Sequence, residues 1–251
     1  MTVQTPSIER RVQRAIEALD VDLLRHSYRD QNEFVSLDQF LPLPMVDQFL
    51  SEVDRLRADV NRNYVPGHKK GGSVSFYTVL HKAPAILAFY RSPAWLAFLN
   101  RLVNARLMLC PEDDPHSCAL YFYTEPGDHI GFHYDTSYYK GARYTVLVGL
   151  VERSEHCRLV ARLCKDSPNR EIRETRVPMP PGAMVVFNGD KLWHAVTPLG
   201  EGEERIILTL QYVTNQEMGP FKRVFSNLKD AVAYFGPAAL VRRKPSGVKR
   251  S

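Results

Sequence analysis

Between residues 118 and 213 the chain is written in eight short runs rich in β-branched and aromatic residues: CALYFYT, IGFHYD, ARYTVLVGLVE, CRLVARLC, EIRETRV, AMVVFN, WHAVTP and RIILTLQYV. Runs this short, separated by turn residues, predict antiparallel strands of a sandwich or barrel. Glu125-Pro126-Gly127-Asp128, Pro180-Pro181-Gly182 and Gly200-Glu201-Gly202 supply the turn chemistry where it is needed. Eight strands of this kind make a jelly roll, the double-stranded β-helix.

Ahead of these runs the periodicity is different. Ile8, Val12, Ile16, Leu19 and Leu23 recur at three or four residues, as do Val46, Leu50, Val53 and Val60. Both sets predict amphipathic helices. FVSLDQF lies between them and reads as a short strand, with Pro42 and Pro44 opening the second helix. APAILAFY and PAWLAFLNRLV predict two further helices, Pro93 falling in a first turn where its missing N–H costs least. The expected fold class is therefore α+β, divided into a helical support region over 1–105, a jelly-roll core over 106–236 and a basic, disordered tail over 237–251. Within the core, FSNLKDAVAYF predicts a final helix.

Charge excludes some function classes. Lys and Arg total 33 against 28 Asp and Glu, a net charge of +5. Arg242, Arg243, Lys244, Lys249 and Arg250 all lie in the last ten residues, which hold no acid, so the folded body is near neutral. Nucleic-acid binding needs a basic face on the fold itself, and none is indicated. The longest apolar stretch, AILAFYRSPAWLAFLNRLV, is broken by Arg91, Ser92 and Pro93, so no membrane span is expected. Acids at Glu9, Glu17 and Asp20 argue against a secretory signal or transit peptide. Cys110, Cys118, Cys157 and Cys164 form no CxxC pair and read as reduced thiols, which makes zinc an unexpected ligand and the cytoplasm the expected compartment.

The chemistry sits on three of the strands. His133-Tyr134-Asp135 closes the second run, and alternation along a strand puts His133 and Asp135 on one face. His194 opens the seventh run, and in a jelly roll the second and seventh strands face each other across the barrel mouth. Two imidazoles and one carboxylate on one face of an octahedron suit Fe(II) and leave three positions open. Eleven residues after His194, Arg205 begins a face that it shares with Ile207, Thr209 and Gln211. A guanidinium inside a barrel needs an anion, and its rigid fork suits a carboxylate whose other end chelates the metal.

HxD, a distal His and a following Arg resemble the Fe(II)/2-oxoglutarate-dependent dioxygenases, over roughly residues 118 to 214. YFYTEPGDHIGFHYDTSYYKGARYT and PPGAMVVFNGDKLWHAVTPLGEGEERIILTLQYV look like the two halves of that pattern. Within the superfamily they look closest to the hydroxylases and radical halogenases of free amino acids, especially the lysine-type group. The resemblance implies that His133, Asp135 and His194 bind iron and that Arg205 pairs with the distal carboxylate of 2-oxoglutarate. Tyr123 and Thr209 are further contacts for that co-substrate. It also implies the reaction: O2 and 2-oxoglutarate give succinate and carbon dioxide while an unactivated carbon is oxidised. Halogenases of the superfamily carry Gly or Ala in place of the carboxylate ligand, so Asp135 implies hydroxylation.

Other residues have weaker signals. The hydroxyl-rich stretch from Asp135 to Tyr144 is expected to border the pocket, and Asn188 and Asn215 to orient a small polar substrate. Lys69-Lys70-Gly71-Gly72 reads as a flexible basic lid, Asp128 and His129 as a solvated turn, and Trp193 as packing. The expected partner is a small molecule, a free amino acid. Two rival readings stay open: an oxygenase of a macromolecule, prolyl-hydroxylase-like or a nucleic-acid demethylase, and a non-catalytic jelly-roll binding module. Against the demethylase, RIILTLQYV has no second Arg after Arg205.

Overall fold

The computed structural model describes residues 7–217 except Thr136 and Tyr138. The expected C-terminal helix and basic tail lie outside the described residues. Helices α1 (Ile8–Glu17) and α2 (Val21–Asp30) replace the single helix that the stripe from Ile8 to Leu23 predicts. Asp20 ends that continuity by capping α2, its carboxylate accepting from the Leu23 N–H at 3.0 Å. Leu23, the last member of the stripe, is consequently turned to solvent and is 67% exposed.

Strand β1 (Phe34–Leu37) follows as expected, then α3 (Leu43–Leu56), with Pro44 in its first turn. β2 (Asn61–Val65) and β3 (Lys69–Val74) form a hairpin. The expectation of a flexible lid at Lys69–Gly72 is overturned here: this segment is a strand paired to β2 and, beyond it, to both halves of the core. Its glycines serve close approach, since a Cβ at Gly72 would stand 2.5 Å from Val60 Cγ1 and 3.2 Å from Phe122 Cβ.

Three helices complete the front end: α4 (Phe76–Lys82), α5 (Pro84–Tyr90) and α6 (Pro93–Val103). The α6 boundaries are chemical, with Ser92 capping the Trp95 N–H, Pro93 opening the helix and Asn104 closing it in the left-handed conformation at φ 53°. Ala83 cannot cap α5. Buried Glu52 of α3 does so instead, accepting from the N–H groups of Ala85 and Ile86 at 2.8 and 3.0 Å.

After the two-residue β4 (Met108–Leu109), the eight expected strands appear in order: β5 (Cys118–Tyr123), β6 (His129–His133), β7 (Arg143–Arg153), β8 (Leu159–Leu163), β9 (Arg173–Val177), β10 (Met184–Asn188), β11 (Trp193–Val196) and β12 (Glu204–Val213). They form one curled sheet in the order β1-β10-β7-β12-β5-β3-β6-β11-β8-β9, with β2 and β4 as side branches on β3 and β12. Two strands of the helical region, β1 and β3, are thus built into the sheet of the jelly roll.

β12 shows why its sequence is almost continuously apolar. Ile206, Leu208, Leu210 and Tyr212 face the helices in the main core, together with Leu120 and Phe122 of β5 and Val146 and Val148 of β7. Ile207, on the other face, joins Phe34, Leu159, Val185 and Phe187 in a second cluster inside the roll. Both faces are buried, so Arg205, Thr209 and Gln211, which alternate along β12 on the Ile207 face, lie inside the roll and not in solvent. Trp95 anchors the helical layer, donating from its indole N–H to the Tyr212 hydroxyl at 2.9 Å.

Candidate metal centre

β6 and β11 are hydrogen-bonded neighbours, with His194 directly opposite His133. This corrects the expectation that the two strands face each other across the mouth. Adjacent pairing brings the imidazoles closer than opposed strands would, with ring centroids 4.3 Å apart. Asp135 lies two residues past His133 and its Oδ1 is 3.4 Å from His133 Nε2 and 3.9 Å from His194 Nε2. All three ligand atoms fall within 4.8 Å of one another.

The protons of this trio are placed elsewhere. His133 Nδ1 donates to the Gly131 carbonyl at 2.8 Å and His194 Nδ1 to the Leu192 carbonyl at 3.1 Å. Both Nε2 atoms face the Asp135 carboxylate, a cluster that needs a cation among its acceptors: a proton on His133, whose pKa burial lowers but Asp135 holds above its ordinary value, or a metal in its place. With bonds of about 2.1 Å, neighbouring octahedral donors stand about 3 Å apart, close to the separations observed. The donor set fits a divalent transition metal such as Fe(II). Burial and the neighbouring His133 push the His194 pKa down to about 4, which keeps it neutral and able to ligate. Burial opposes ionisation of Asp135, but His194, His133 and Thr145 outweigh it and hold the carboxyl well below the usual range.

Two supports of Asp135 carried no sequence signal. Thr145 donates its hydroxyl to Asp135 Oδ2 at 2.7 Å, leaving Oδ1 for the metal side. Gly189 packs so closely that a Cβ there would meet the Asp135 carbonyl oxygen at 2.7 Å and its Cβ at 2.9 Å. Thr145 sits opposite Gln211 of β12, so only the strand register reveals it.

Arg205 is 1% exposed and stands opposite Tyr123 on β5 and Glu152 on β7, with its guanidinium 5.4 Å from the Tyr123 ring centroid. Its Nε and Nη2 have no hydrogen-bond partner among the described residues. Glu152 is 3.9 Å from Nε, but both of its oxygens accept from the Met179 N–H. The alternative of a surface pairing fails because Glu203 is held by Ser154, His156 and Gly200, and Glu204 by Arg57 and Arg153. A buried cation with unused donors fits a carboxylate ligand. Thr209 lies four register positions along β12 from Arg205, on the same face, and is buried.

Other expectations meet different outcomes. Asn188 is taken up by the front end, donating to Glu33 at 2.7 Å, and Asn215 accepts from the Glu217 N–H. Tyr139 turns its hydroxyl onto buried Asp114. Asp128 is not solvated: it is fully buried, grips Arg62 through two 2.7 Å hydrogen bonds and caps the Thr124 and Glu125 N–H groups. Lys69 is buried over the Tyr121 ring, 4.8 Å from its centroid. Among the described residues no helix is long and apolar enough to cross a membrane.

The curled jelly roll, with His133, Asp135 and His194 gathered at the paired ends of two strands and Arg205 buried on β12, is similar in fold to solved iron- and 2-oxoglutarate-dependent oxygenases. The chain belongs to the Halogenase D family, which it matches over residues 16–224. No curated protein sequence matches it significantly. Its fold is similar to SnoN, the non-haem alpha-ketoglutarate-dependent epimerase from nogalamycin biosynthesis, at 15% identity and a TM-score of 0.66, covering 80% of this chain and 86% of that one. It is similar too to a prolyl-4-hydroxylase of Pseudomonas putida, at 17% identity and a TM-score of 0.60 over 78% of this chain and 100% of that one. A prolyl hydroxylase of Trichoplax adhaerens, solved with a hypoxia-inducible-factor peptide, matches at 15% identity and a TM-score of 0.62, covering 85% and 94%.

Proposed function

We propose that this protein is an Fe(II)/2-oxoglutarate-dependent hydroxylase of a small polar substrate, a free amino acid. The observation that carries the reading is the convergence of His133, Asp135 and His194 on one point, with unused donors of Arg205 buried on β12, on the face it shares with Ile207 inside the roll. His133, Asp135 and His194 hold the metal, and Arg205 takes the distal carboxylate of 2-oxoglutarate, with Tyr123 and Thr209 beside it. Bound iron supplies the activation of O2 that couples decarboxylation of 2-oxoglutarate to oxidation of a substrate carbon. The protein holds the reactants in place and keeps the carboxylate ligand in its position. The substrate class rests on the resemblance of the two motif segments to amino-acid hydroxylases and halogenases.

The test is to incubate the Fe(II)-loaded protein with 2-oxoglutarate, O2 and a panel of free amino acids, following succinate and product masses. A gain of one oxygen on an amino acid is the expected result. Turnover only with a peptide or nucleic acid would move the substrate class to macromolecules, and no succinate under any condition would leave a binding module.

A further inference from the structure

The strands that carry the ligands on their inner face carry an aromatic stack on their outer one. Phe132 and Tyr134 flank His133, and Trp193 precedes His194, so alternation turns all three rings away from the metal side. Trp193 stacks on Phe132 at 6.0 Å and 13°, and its ring lies 4.7 Å from that of Tyr134. All three are half-buried, within reach of solvent. The stack ends in a proton acceptor: the Tyr134 hydroxyl donates to Asp166 Oδ2 at 2.5 Å, and Asp166 is exposed. Lys165 sits over both rings, 4.6 Å from Trp193 and 5.3 Å from Tyr134, and donates to the phenol oxygen at 3.1 Å.

Packing alone calls for neither a half-exposed indole and phenol in contact nor a carboxylate on the phenol proton. We infer that Trp193, Tyr134 and Asp166 form a one-electron relay between the iron site and solvent, which discharges the oxidised centre when no substrate carbon is in reach. The inference rests on the oxygenase reading. Were 2-oxoglutarate consumed without substrate, two oxidising equivalents and one oxygen atom of O2 would be left to discharge at the iron that His133, Asp135 and His194 would hold. Indole and phenol are among the most readily oxidised side chains. Trp193 gives one electron to the centre and is refilled by Tyr134, whose phenolic proton passes to the Asp166 carboxylate. The Lys165 cation disfavours a positive charge resting on Trp193, so the hole moves on to Tyr134, where loss of the proton leaves a neutral radical. A diffusible enediol reductant such as ascorbate returns the electron, and the proton goes back from Asp166. Two such passages, with one proton from the reductant and one from solvent, would discharge both equivalents, the oxygen atom leaving as water. Without the relay, Tyr121 and Tyr123 of β5, packed together beside Ile130 of β6, are phenols open to oxidation, and Tyr123 lies against Arg205.

The experiment uses the full chain with Fe(II), 2-oxoglutarate and O2, no amino acid, and no ascorbate in the first arm. Succinate, freeze-quenched electron paramagnetic resonance and peptide masses are read together. The expected result is a tyrosyl radical that is lost in Tyr134→Phe, which keeps the stacked ring, and that forms more slowly in Asp166→Asn. In Trp193→Phe, a gain of oxygen should appear on the peptide bearing Tyr121 and Tyr123. In the second arm, ascorbate should erase the radical in the wild type while leaving the Trp193→Phe damage. Succinate formation with a radical and damage pattern indifferent to Tyr134→Phe would overturn the relay alone. Absence of succinate would overturn the oxygenase reading and the relay with it.

Discussion

His133 and His194 stand directly opposite each other on antiparallel neighbours, so the backbone ladder between β6 and β11 sets the distance between two of the three ligands. A slip of one residue would turn one imidazole out of the roll. Because the site is made by register and closed by Asp135, removing one ligand leaves the scaffold intact. Asp135→Ala or His194→Ala should lose Fe(II) affinity by more than the roughly 10- to 100-fold typical of an outer-shell partner, with circular dichroism unchanged. Wild-type metal content in either variant, measured after dialysis against limiting iron, would remove these residues from the ligand set.

Thr145 tests a finer point. Its hydroxyl holds Asp135 Oδ2 and so fixes which oxygen faces the imidazoles. Thr145→Val keeps the shape and removes the hydrogen bond, and should weaken Fe(II) binding by about 10- to 100-fold while the melting temperature moves little. Equal affinity in calorimetric titrations would mean that Asp135 is aimed by the backbone alone.

Arg205→Lys should raise the 2-oxoglutarate concentration needed for half-maximal succinate formation. One ammonium cannot replace a two-pronged contact, and loss of a charged hydrogen bond is worth about 1.5 to 3 kcal/mol, or roughly ten- to a hundredfold. An unchanged requirement would assign Arg205 to structure.

The strands and the gathering of three candidate ligands were legible because they depend on local signals. Eight runs with turn residues between them appear as β5 to β12, and His133, Asp135 and His194 announce themselves by parity along two strands. What the sequence hides is set by contacts across long separations. KKGGSV has no apolar alternation because Gly71 and Gly72 make room for Phe122 and Val60, so a buried strand reads as a flexible insert. Asp128 lies in a turn by every local sign and is buried only because Arg62, sixty-six residues earlier, reaches it. Likewise the pairing of β6 with β11 depends on how the sheet curls. The break at Asp20 was the exception, a local capping signal outweighed by an apolar stripe that runs across it.

A buried ion pair supports the loop that follows Asp135. Arg143 Nη2 is 2.8 Å from Asp114 Oδ2, Gln211 binds Arg143 Nη1, and Tyr139 donates to the same Asp114 oxygen at 2.8 Å. Burial alone would raise the Asp114 pKa, but the Arg143 guanidinium, with His116 and Tyr139, outweighs it and holds the carboxyl below its ordinary 3.8. The stabilisation is complete above the unfolded value of about 3.9 and is lost as the pH falls through the lower folded value. Asp114→Asn should therefore cost about 3 to 5 kcal/mol at neutral pH, with the gap to wild type narrowing in denaturant melts as the solution is acidified below about pH 4. A gap independent of pH would show that shape, not charge, makes the contribution.

The family name raises the question of chloride, and Asp135 answers it. Halogenases of this superfamily place Gly or Ala at the carboxylate position, and chloride takes the vacated site on the metal. In the proposed site the Asp135 carboxylate, fixed by Thr145 and packed against Gly189, would take that position, and its negative charge would disfavour a second anion on the same ion. Chloride lacks both space and charge balance, so the unmodified protein should yield an alcohol even in saturating chloride. Asp135→Gly would open the position but would also free the Thr145 hydroxyl and remove a charged ligand that aims the site, so only weak halogenation is expected from it. Product masses from the unmodified protein in high chloride are decisive: a chlorinated product would mean that Asp135 leaves the metal during turnover and that the hydroxylase assignment is wrong.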